Sequence, residues 1–384
     1  MKKNYEMDIY QQARRLCKRI FQFPTSAPFA GPSGHLLRDV AIILAVPLLF
    51  LVGCEAMRPV TKPEKSFLVM GTTGFVLLPE HDADQLDSVA GLVTNTMLKL
   101  ESKFSVYRSG SEIARINATS GDSEVTISAE TFNLLELCKY YSELSKGAFD
   151  VTIGPITREW GFGKGAVPKQ PLAKEQIDSL LKLVGSRHII LSGNKAFLDQ
   201  KGIEINLGGI AKGYAVDVCG HQLLGRGIRN VLINLGGNIR CFGYAHGHEP
   251  WKIGVRNPFY PKQSLGTLRL SNGQSVATSG NYERFVTINH RRYAHIIDPR
   301  TGYPVEGMAS VTVISPSAVE ADALSTALFV QGIKEGLNTL KKTRSCDALF
   351  VLDKRPVEIM VTEGFARQFD PDKSVSNRIF ILKP

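Results

Sequence analysis

No apolar run in the sequence is long enough to span a bilayer. The longest apolar run, residues 40–53 (VAIILAVPLLFLVG), has 14 residues and no charge, whereas a crossing helix needs ~20. There is no CxxC pair, no heptad run, no repeat at a fixed period and no low-complexity tract. Those absences argue against a thiolate zinc site, a coiled coil and a solenoid. Neither GxxxxGK[ST] nor GxGxxG occurs, so the common phosphate-cradling fingerprints are missing. His246-Gly247-His248 stands without a third ligand and reads as an exposed loop. What remains is ordinary: 384 residues, 43% hydrophobic and 21% charged, enough to bury a core. Thirty-five Gly and 19 Pro imply many turns rather than a helical bundle. The net charge of +10 suggests a polyanionic partner until the charges are located.

Part of that charge belongs to the first 53 residues. Lys2, Lys3, Arg14, Arg15, Lys18, Arg19 and Arg38 outnumber Glu6, Asp8 and Asp39, and the apolar run follows, ending in Leu51-Val52-Gly53-Cys54. Basic residues, a short apolar run, small residues and then Cys is the order of a bacterial lipoprotein signal. The expected organisation is a leader over 1–53, a lipidated tether over 54–65 anchored at Cys54, and a catalytic domain over 66–384. The protein is then expected in the bacterial cell envelope, lipid-anchored and facing the periplasm. The leader carries +4, leaving +6 on the rest. Cys138, Cys219, Cys241 and Cys346 remain, either paired in disulfides or isolated as buried thiols.

Beyond the tether, a strand pair is expected at 67–70 and 74–78. Leu86, Val89, Val93, Met97, Leu100 and Phe104 recur at spacings of 3 and 4, which predicts an amphipathic helix. Further helices are expected after Ser128, over 174–184, near 209–224 and over 318–331. Short apolar runs at 188–191, 196–198, 202–205, 230–234, 251–255, 285–288, 310–315 and 348–352 predict strands. The pattern is an α+β fold, mainly antiparallel sheet with packed helices, in a single catalytic unit.

Chemistry concentrates in a few segments. Residues 203–217 (IEINLGGIAKGYAVD) run into Gly208-Gly209 and a helix with Lys212 in its first turn. That is either plain turn punctuation or a phosphate site at a helix N-terminus. Asn234 to Asn238 repeats a Gly-Gly turn and reads best as a hairpin. Gly161 to Gly165 is either a similar feature or a flexible loop. Residues 277–304 hold Thr278, Ser279, His295 and a sharp turn at Asp298-Pro299-Arg300. His295 is either structural or a general base. Asp322, Ser325 and Thr326 fall on one helical face, a hard-oxygen set suited to Mg²⁺, or an Asp favoured by the helix dipole beside a back-bonded Thr.

Together these segments resemble the ApbE family, the FAD:protein FMN transferases. The resemblance runs from about Met70 to Phe350. In order it is carried by Met70-Gly71-Thr72, Ser105-Val106-Tyr107, Gly147-Ala148-Phe149-Asp150, Trp160-Gly161-Phe162, Leu207 to Tyr214, Asn234 to Asn238, Trp251 to Pro258, Thr278-Ser279-Gly280, His295 to Gly302, and Ala321 to Thr326. It implies an ApbE-like fold related to the T-fold and a reaction in which an acceptor Thr or Ser takes FMN from FAD and AMP departs. Asp322 and Thr326 would hold Mg²⁺ with the carbonyl of Gly209, helped by Ser325. His295 would be the base, with Asp298 positioning its segment. Met70, Tyr107, Ala148, Phe149, Asp150, Asn206, Lys212 and Ile297 carry over as FAD contacts, Tyr107 and Phe149 as ring-stacking surfaces. The implied partners are FAD and an acceptor flavoprotein such as a membrane electron-transfer subunit, with membrane attachment by lipid and no nucleic acid. The same residues would also serve a Mg²⁺-dependent FAD pyrophosphatase, or a flavin-binding lipoprotein without turnover. Asn206 and Asn281 depart from the Asp common in the family at both positions.

Overall fold

A computed structural model describes residues 63–382, apart from Lys164 and Arg344. The expected leader, Cys54 and nearly all of the tether lie outside the described residues. Nine strands form one sheet whose spatial order is also their order in the chain. They are β1 (Glu64–Val69), β2 (Thr72–Leu77), β3 (Val231–Leu235), β4 (Asn238–Phe242), β5 (Ser275–Gly280), β6 (Met308–Ser315), β7 (Asp347–Leu352), β8 (Ile359–Thr362) and β9 (Ile379–Leu382). All the pairings are antiparallel except β8 with β9. The fold is therefore α+β and dominated by antiparallel sheet, as the sequence implies.

Eight helices accompany the sheet among the described residues: α1 (Leu86–Phe104), α2 (Glu112–Ala118), α3 (Ala129–Leu144), α4 (Gly154–Glu159), α5 (Lys174–Leu181), α6 (Ala211–Gly225), α7 (Ala318–Leu340) and α8 (Glu363–Gln368). The 3-and-4 spacing of α1 places Val89, Val93, Met97, Leu100 and Phe104 in the main core. There they meet Val231, Ile233 and Leu235 of β3, together with residues of α3, α6 and α7. Leu232 points the other way, into a second core closed by a small sheet bearing Trp251, Leu265 and Leu268. Strands covered on both faces read as continuous apolar runs, which is why β3 and β7 stand out in the sequence. A third core joins α4 and α5 to a separate hairpin, Phe285–Ile288 paired with Arg291–Ala294. Trp160 anchors it, donating from Nε1 to Gly302 O at 2.9 Å.

Two elements differ from expectation. Residues 202–205 alternate like a strand, yet contribute a single bridge, Ile153 to Glu204, because the Asn117 side chain takes both the N–H and the carbonyl of Ile205. The helix expected over 318–331 continues to Leu340 across a break at Gly332. The four cysteines among the described residues, Cys138, Cys219, Cys241 and Cys346, are separate free thiols. Burial raises all of their pKa values, those of Cys219, Cys241 and Cys346 to about 12, so they stay protonated and unreactive. Among the described residues, no helix is long and apolar enough to cross a membrane.

Candidate active site

The site begins where the chain passes from Asn206 into α6. Asn206 N donates to Val151 O (2.7 Å), and its side-chain Oδ1 accepts from Gly208 N (3.0 Å), fixing the Gly208-Gly209 turn. A Cβ on Gly209 would lie 3.1 Å from Thr326 Oγ1 and 3.3 Å from the Phe149 ring, so any side chain there would crowd both. Lys212 Nζ donates to Gly208 O at 2.7 Å and sits 3.6 Å from Asp322 Oδ1. Gly213 N, one of the amides that a helix start leaves without a partner, donates to Asp322 Oδ2 at 2.9 Å. Only glycine fits here: a Cβ at position 213 would come within 2.2 Å of Ala318 O.

On α7, Asp322 is 5% exposed. Burial pushes its carboxyl pKa up, while Lys212 and the Gly213 N–H oppose the shift. Ser279 Oγ, on β5, lies 2.9 Å from Ser325 Oγ and 3.1 Å from Thr326 Oγ1. Beneath this floor, Asp217 of α6 accepts from Arg240 Nη1 on β4. It also accepts from Ser317 Oγ (2.8 Å), Ala318 N (2.9 Å) and Val319 N (2.9 Å) at the start of α7. One buried carboxylate therefore ties β4 and α6 to the helix that presents Asp322.

The rim carries His295. Its backbone N–H donates to Arg284 O (3.1 Å), and Nδ1 lies 3.2 Å from the same oxygen. A carbonyl can only accept, so Nδ1 bears the proton and Nε2 keeps a free lone pair. Burial pushes the ring pKa down to about 4, against the raising effect of that hydrogen bond; the charges of Arg284 and Lys212 lower it further. The imidazole is thus neutral near pH 7.

Between floor and rim lies a cleft of ≈ 540 Å³, within the usual size for small-molecule sites. All eight residues expected to touch flavin line it: Met70, Tyr107, Ala148, Phe149, Asp150, Asn206, Lys212 and Ile297. Gly209, His295, Asp322 and Thr326 join them. Met70 occupies the two-residue β1–β2 turn at φ 51, next to Gly71 at φ 68. A left-handed non-glycine residue costs roughly 1 kcal/mol, and such strain is typical of functional positions.

Three residues use their side chains away from the cleft. Asp298 does not line the cleft; its carboxylate accepts from Arg300 N, Nε and Nη2, each at 2.9 Å, and shapes the turn after His295. Ser325 also lies behind the lining, donating to Asp322 O at 2.9 Å. Asp150 reaches the cleft, but its carboxylate is saturated. It accepts from Thr152 N (2.9 Å), Thr152 Oγ1 (2.6 Å), Ser142 Oγ (2.9 Å) and Ser186 N (2.8 Å). Its carboxylate holds a loop in place and has no lone pair left for a ligand. Lys164 of the Gly161 to Gly165 segment lies outside the described residues, and the Asn234 to Asn238 segment is the β3–β4 hairpin, with Gly236 and Gly237 both at positive φ.

Sequence reasoning picks out neither Asn238 nor Asp217 individually, and names Ser279 only as one hydroxyl of its segment. Asn238 Oδ1 is buried without a partner, and its side chain supports the Asp322 carboxylate. Asp217 carries a faint signal, a lone carboxylate in an otherwise apolar helical run. Asn281 donates to Asp353 Oδ2 at 2.8 Å. An aspartate there would face a like charge.

Among the described residues, no three of His, Cys, Asp and Glu cluster as a ligand set. A cation here would depend on Asp322, the Thr326 hydroxyl and backbone carbonyl oxygen. Those are hard donors of the kind Mg²⁺ takes. The buried, unpartnered Asn238 Oδ1 beside Asp322 and the constricted space at Gly209 fit such a group.

Known proteins share this arrangement of segments. The sequence model described as the ApbE family matches residues 70–350. A Klebsiella pneumoniae FAD:protein FMN transferase is 36% identical over 312 residues, covering 80% of this chain and 93% of its own. A Vibrio cholerae FAD:protein FMN transferase is 31% identical over 303 residues, covering 78% and 90%. The crystal structure of the ApbE protein of Thermotoga maritima superposes with a TM-score of 0.73 at 31% identity, covering 81% of this chain and all of its own. With the family match spanning most of the chain and a similar fold in a solved relative, this protein belongs to the ApbE family.

Proposed function

We propose that this protein is an FAD:protein FMN transferase that moves the FMN part of FAD onto a Thr or Ser hydroxyl of an acceptor protein, releasing AMP. The observation that carries the reading is one cleft holding three things: a glycine turn at a helix start with Lys212, a buried carboxylate–hydroxyl pair in Asp322 and Thr326, and a neutral His295 opposite them. The names of the relatives support it.

In this reading Lys212 at the start of α6 receives the pyrophosphate, its ammonium and the positive end of the helix favouring anionic oxygens. The Ala211 and Gly213 amides stay on Leu207 O and Asp322. Phe149 and Tyr107 offer ring faces to the flat parts of FAD. His295 Nε2 takes the proton of the attacking hydroxyl, and Arg284 O holds the tautomer that leaves Nε2 free. The hydroxyl oxygen bonds to the FMN phosphorus, and the bond to the AMP phosphate oxygen breaks with its electron pair. Transfers of this type need positioning and charge neutralisation above all. Asp322, Thr326 and Gly209 O would hold Mg²⁺, which when bound supplies charge neutralisation at the pyrophosphate.

The leader and Cys54 further suggest a lipid-anchored protein facing the periplasm. Replacing Cys54 with Ala should release it from the membrane fraction; a variant still sedimenting with membranes would remove the anchor from this proposal. The central test is incubation with FAD, Mg²⁺ and a Thr-containing acceptor, followed by mass spectrometry. The expected result is an acceptor carrying FMN, with AMP in equal amount. Free FMN with no modified acceptor would replace transfer with hydrolysis.

A further inference from the structure

We infer that the outer side of the hairpin Phe285–Ile288/Arg291–Ala294 is the docking surface for the acceptor, and that it takes an extended segment with acidic residues beside the modified hydroxyl. The inference rests on the transferase reading and extends it to the second substrate.

The hairpin grows directly from the catalytic rim. Its first strand follows Arg284 and its second leads into His295, and the two join at the hydrogen bond from His295 N to Arg284 O. A segment laid along the hairpin is therefore led towards His295 Nε2. The underside is committed: Val286 and Ile288 are buried, and Tyr293 packs against Trp160 with ring centroids 5.2 Å apart. The outer side is open. Phe285 is 48% exposed, with the Arg292 guanidinium 3.6 Å above its ring. Asn289 and His290, both at positive φ, close the hairpin with a tight two-residue turn.

The two strands form a sheet of their own, so each presents an edge that an extended peptide can pair with. Charge then selects the peptide. Residues 283–295 contain Arg284, His290, Arg291 and Arg292 against the single carboxylate of Glu283. Glu306 neutralises Arg291. Among the described residues, neither Arg284 nor Arg292 forms an ion pair. Two guanidinium groups beside a free strand edge match a chain that brings its own carboxylates. Arg284 lines the cleft at its rim, whereas Arg292 does not, so Arg292 is the guanidinium left for the acceptor rather than for pyrophosphate.

The test uses three peptides of equal length, each with one Thr, flanked by Asp/Glu, by Gly/Ser or by Lys. Binding to the FAD-loaded protein is read by fluorescence anisotropy, and flavinylation by mass. The acidic peptide should bind at least about ten-fold tighter than the neutral one at low salt, and lose that advantage as ionic strength rises. Arg292→Glu should remove the preference and raise the KM for the peptide about ten-fold, with FAD affinity unchanged. Arg292→Lys should restore most of it, and a reversal elsewhere, Lys262→Glu, should have little effect. Equal binding of the three peptides overturns the docking surface, as does an Arg292→Glu protein that behaves like wild type. If acidic peptides bind through Arg292 but are never flavinylated, the surface stands and the transferase reading falls.

Discussion

The floor of the cleft holds Asp322 through Gly213 N and Lys212, above an Asp217 that binds four donors, whereas the rim holds His295 through one carbonyl oxygen. The floor residues come from helices and strands in the main core. Those of the rim come from a two-stranded hairpin over a small satellite core. A floor of this kind keeps its geometry whether or not a ligand is present, which suits charge neutralisation by fixed groups. A rim whose histidine is oriented by one carbonyl and the edge of Phe162, beside open strand edges, suits a step that must admit a second macromolecule.

The comparison breaks most sharply at Asp322. Asp322→Ala should reduce metal-dependent transfer by about 10³-fold or more, measured as initial flavinylation rate at saturating Mg²⁺. Activity within a few-fold of wild type would mean that the floor does not neutralise charge. His295→Ala should cost roughly 10²–10³-fold, with FAD affinity nearly unchanged. Loss of FAD binding instead would make the rim part of the ligand site rather than a separate proton acceptor.

The pH profile sharpens the same point. A protonated imidazole cannot accept a proton, and the His295 pKa is about 4. The rate should therefore hold steady from neutral pH downwards and fall only as pH approaches that value. An inflection near 6.5, the value of an unperturbed histidine, would contradict the burial of this ring. The same shift acts on stability. Between about 4 and about 6.5 the unfolded chain binds the proton that the folded chain does not, so this contribution is present above that window and is lost as pH falls through it.

Smaller effects separate floor from rim by stability alone. Asp217→Ala leaves Arg240 buried without its carboxylate and strips the start of α7 of its acceptor. It should cost about 3–5 kcal/mol in denaturant unfolding. Asp298→Ala, which removes a carboxylate only 14% exposed and bonded to Arg300 alone, should cost less, about 1–2 kcal/mol by the same measurement. Similar losses at both would erase the distinction. Asn281→Asp, which sets a carboxylate against Asp353, should be the mildest change, a few tenths of a kcal/mol and relieved by salt.

The legible parts of the molecule are those whose side chains follow one rule for several residues. The period of α1 and the apolar runs 231–233 of β3 and 348–352 of β7 are of that kind. β4 reads Asn-Ile-Arg-Cys-Phe, and its strand character is hidden by Arg240, a buried charge whose partner Asp217 lies on another element. β5, Ser-Val-Ala-Thr-Ser-Gly, is too small and polar to announce a strand, yet it brings Ser279 against Thr326. Residues 202–205 fail in the opposite sense, since alternation says nothing about whether a partner strand exists. At the site, family resemblance supplied positions, but not how the atoms are used. Only coordinates reveal that Asp150 has spent its lone pairs on its own loop, or that Asp298 is held by Arg300.

The sheet that carries all this is laid down in chain order, each strand beside the one before it. Early strands can therefore pair while later ones are still being made, as a chain emerging from its N-terminus allows. The cleft, however, closes only when Met70 near the beginning meets Thr326 on α7. A growing or truncated chain can be largely folded and still offer nothing for a ligand to hold. Ligand binding would then stabilise only chains in which α7 has taken its place, so occupancy of the cleft reports that folding has reached that helix.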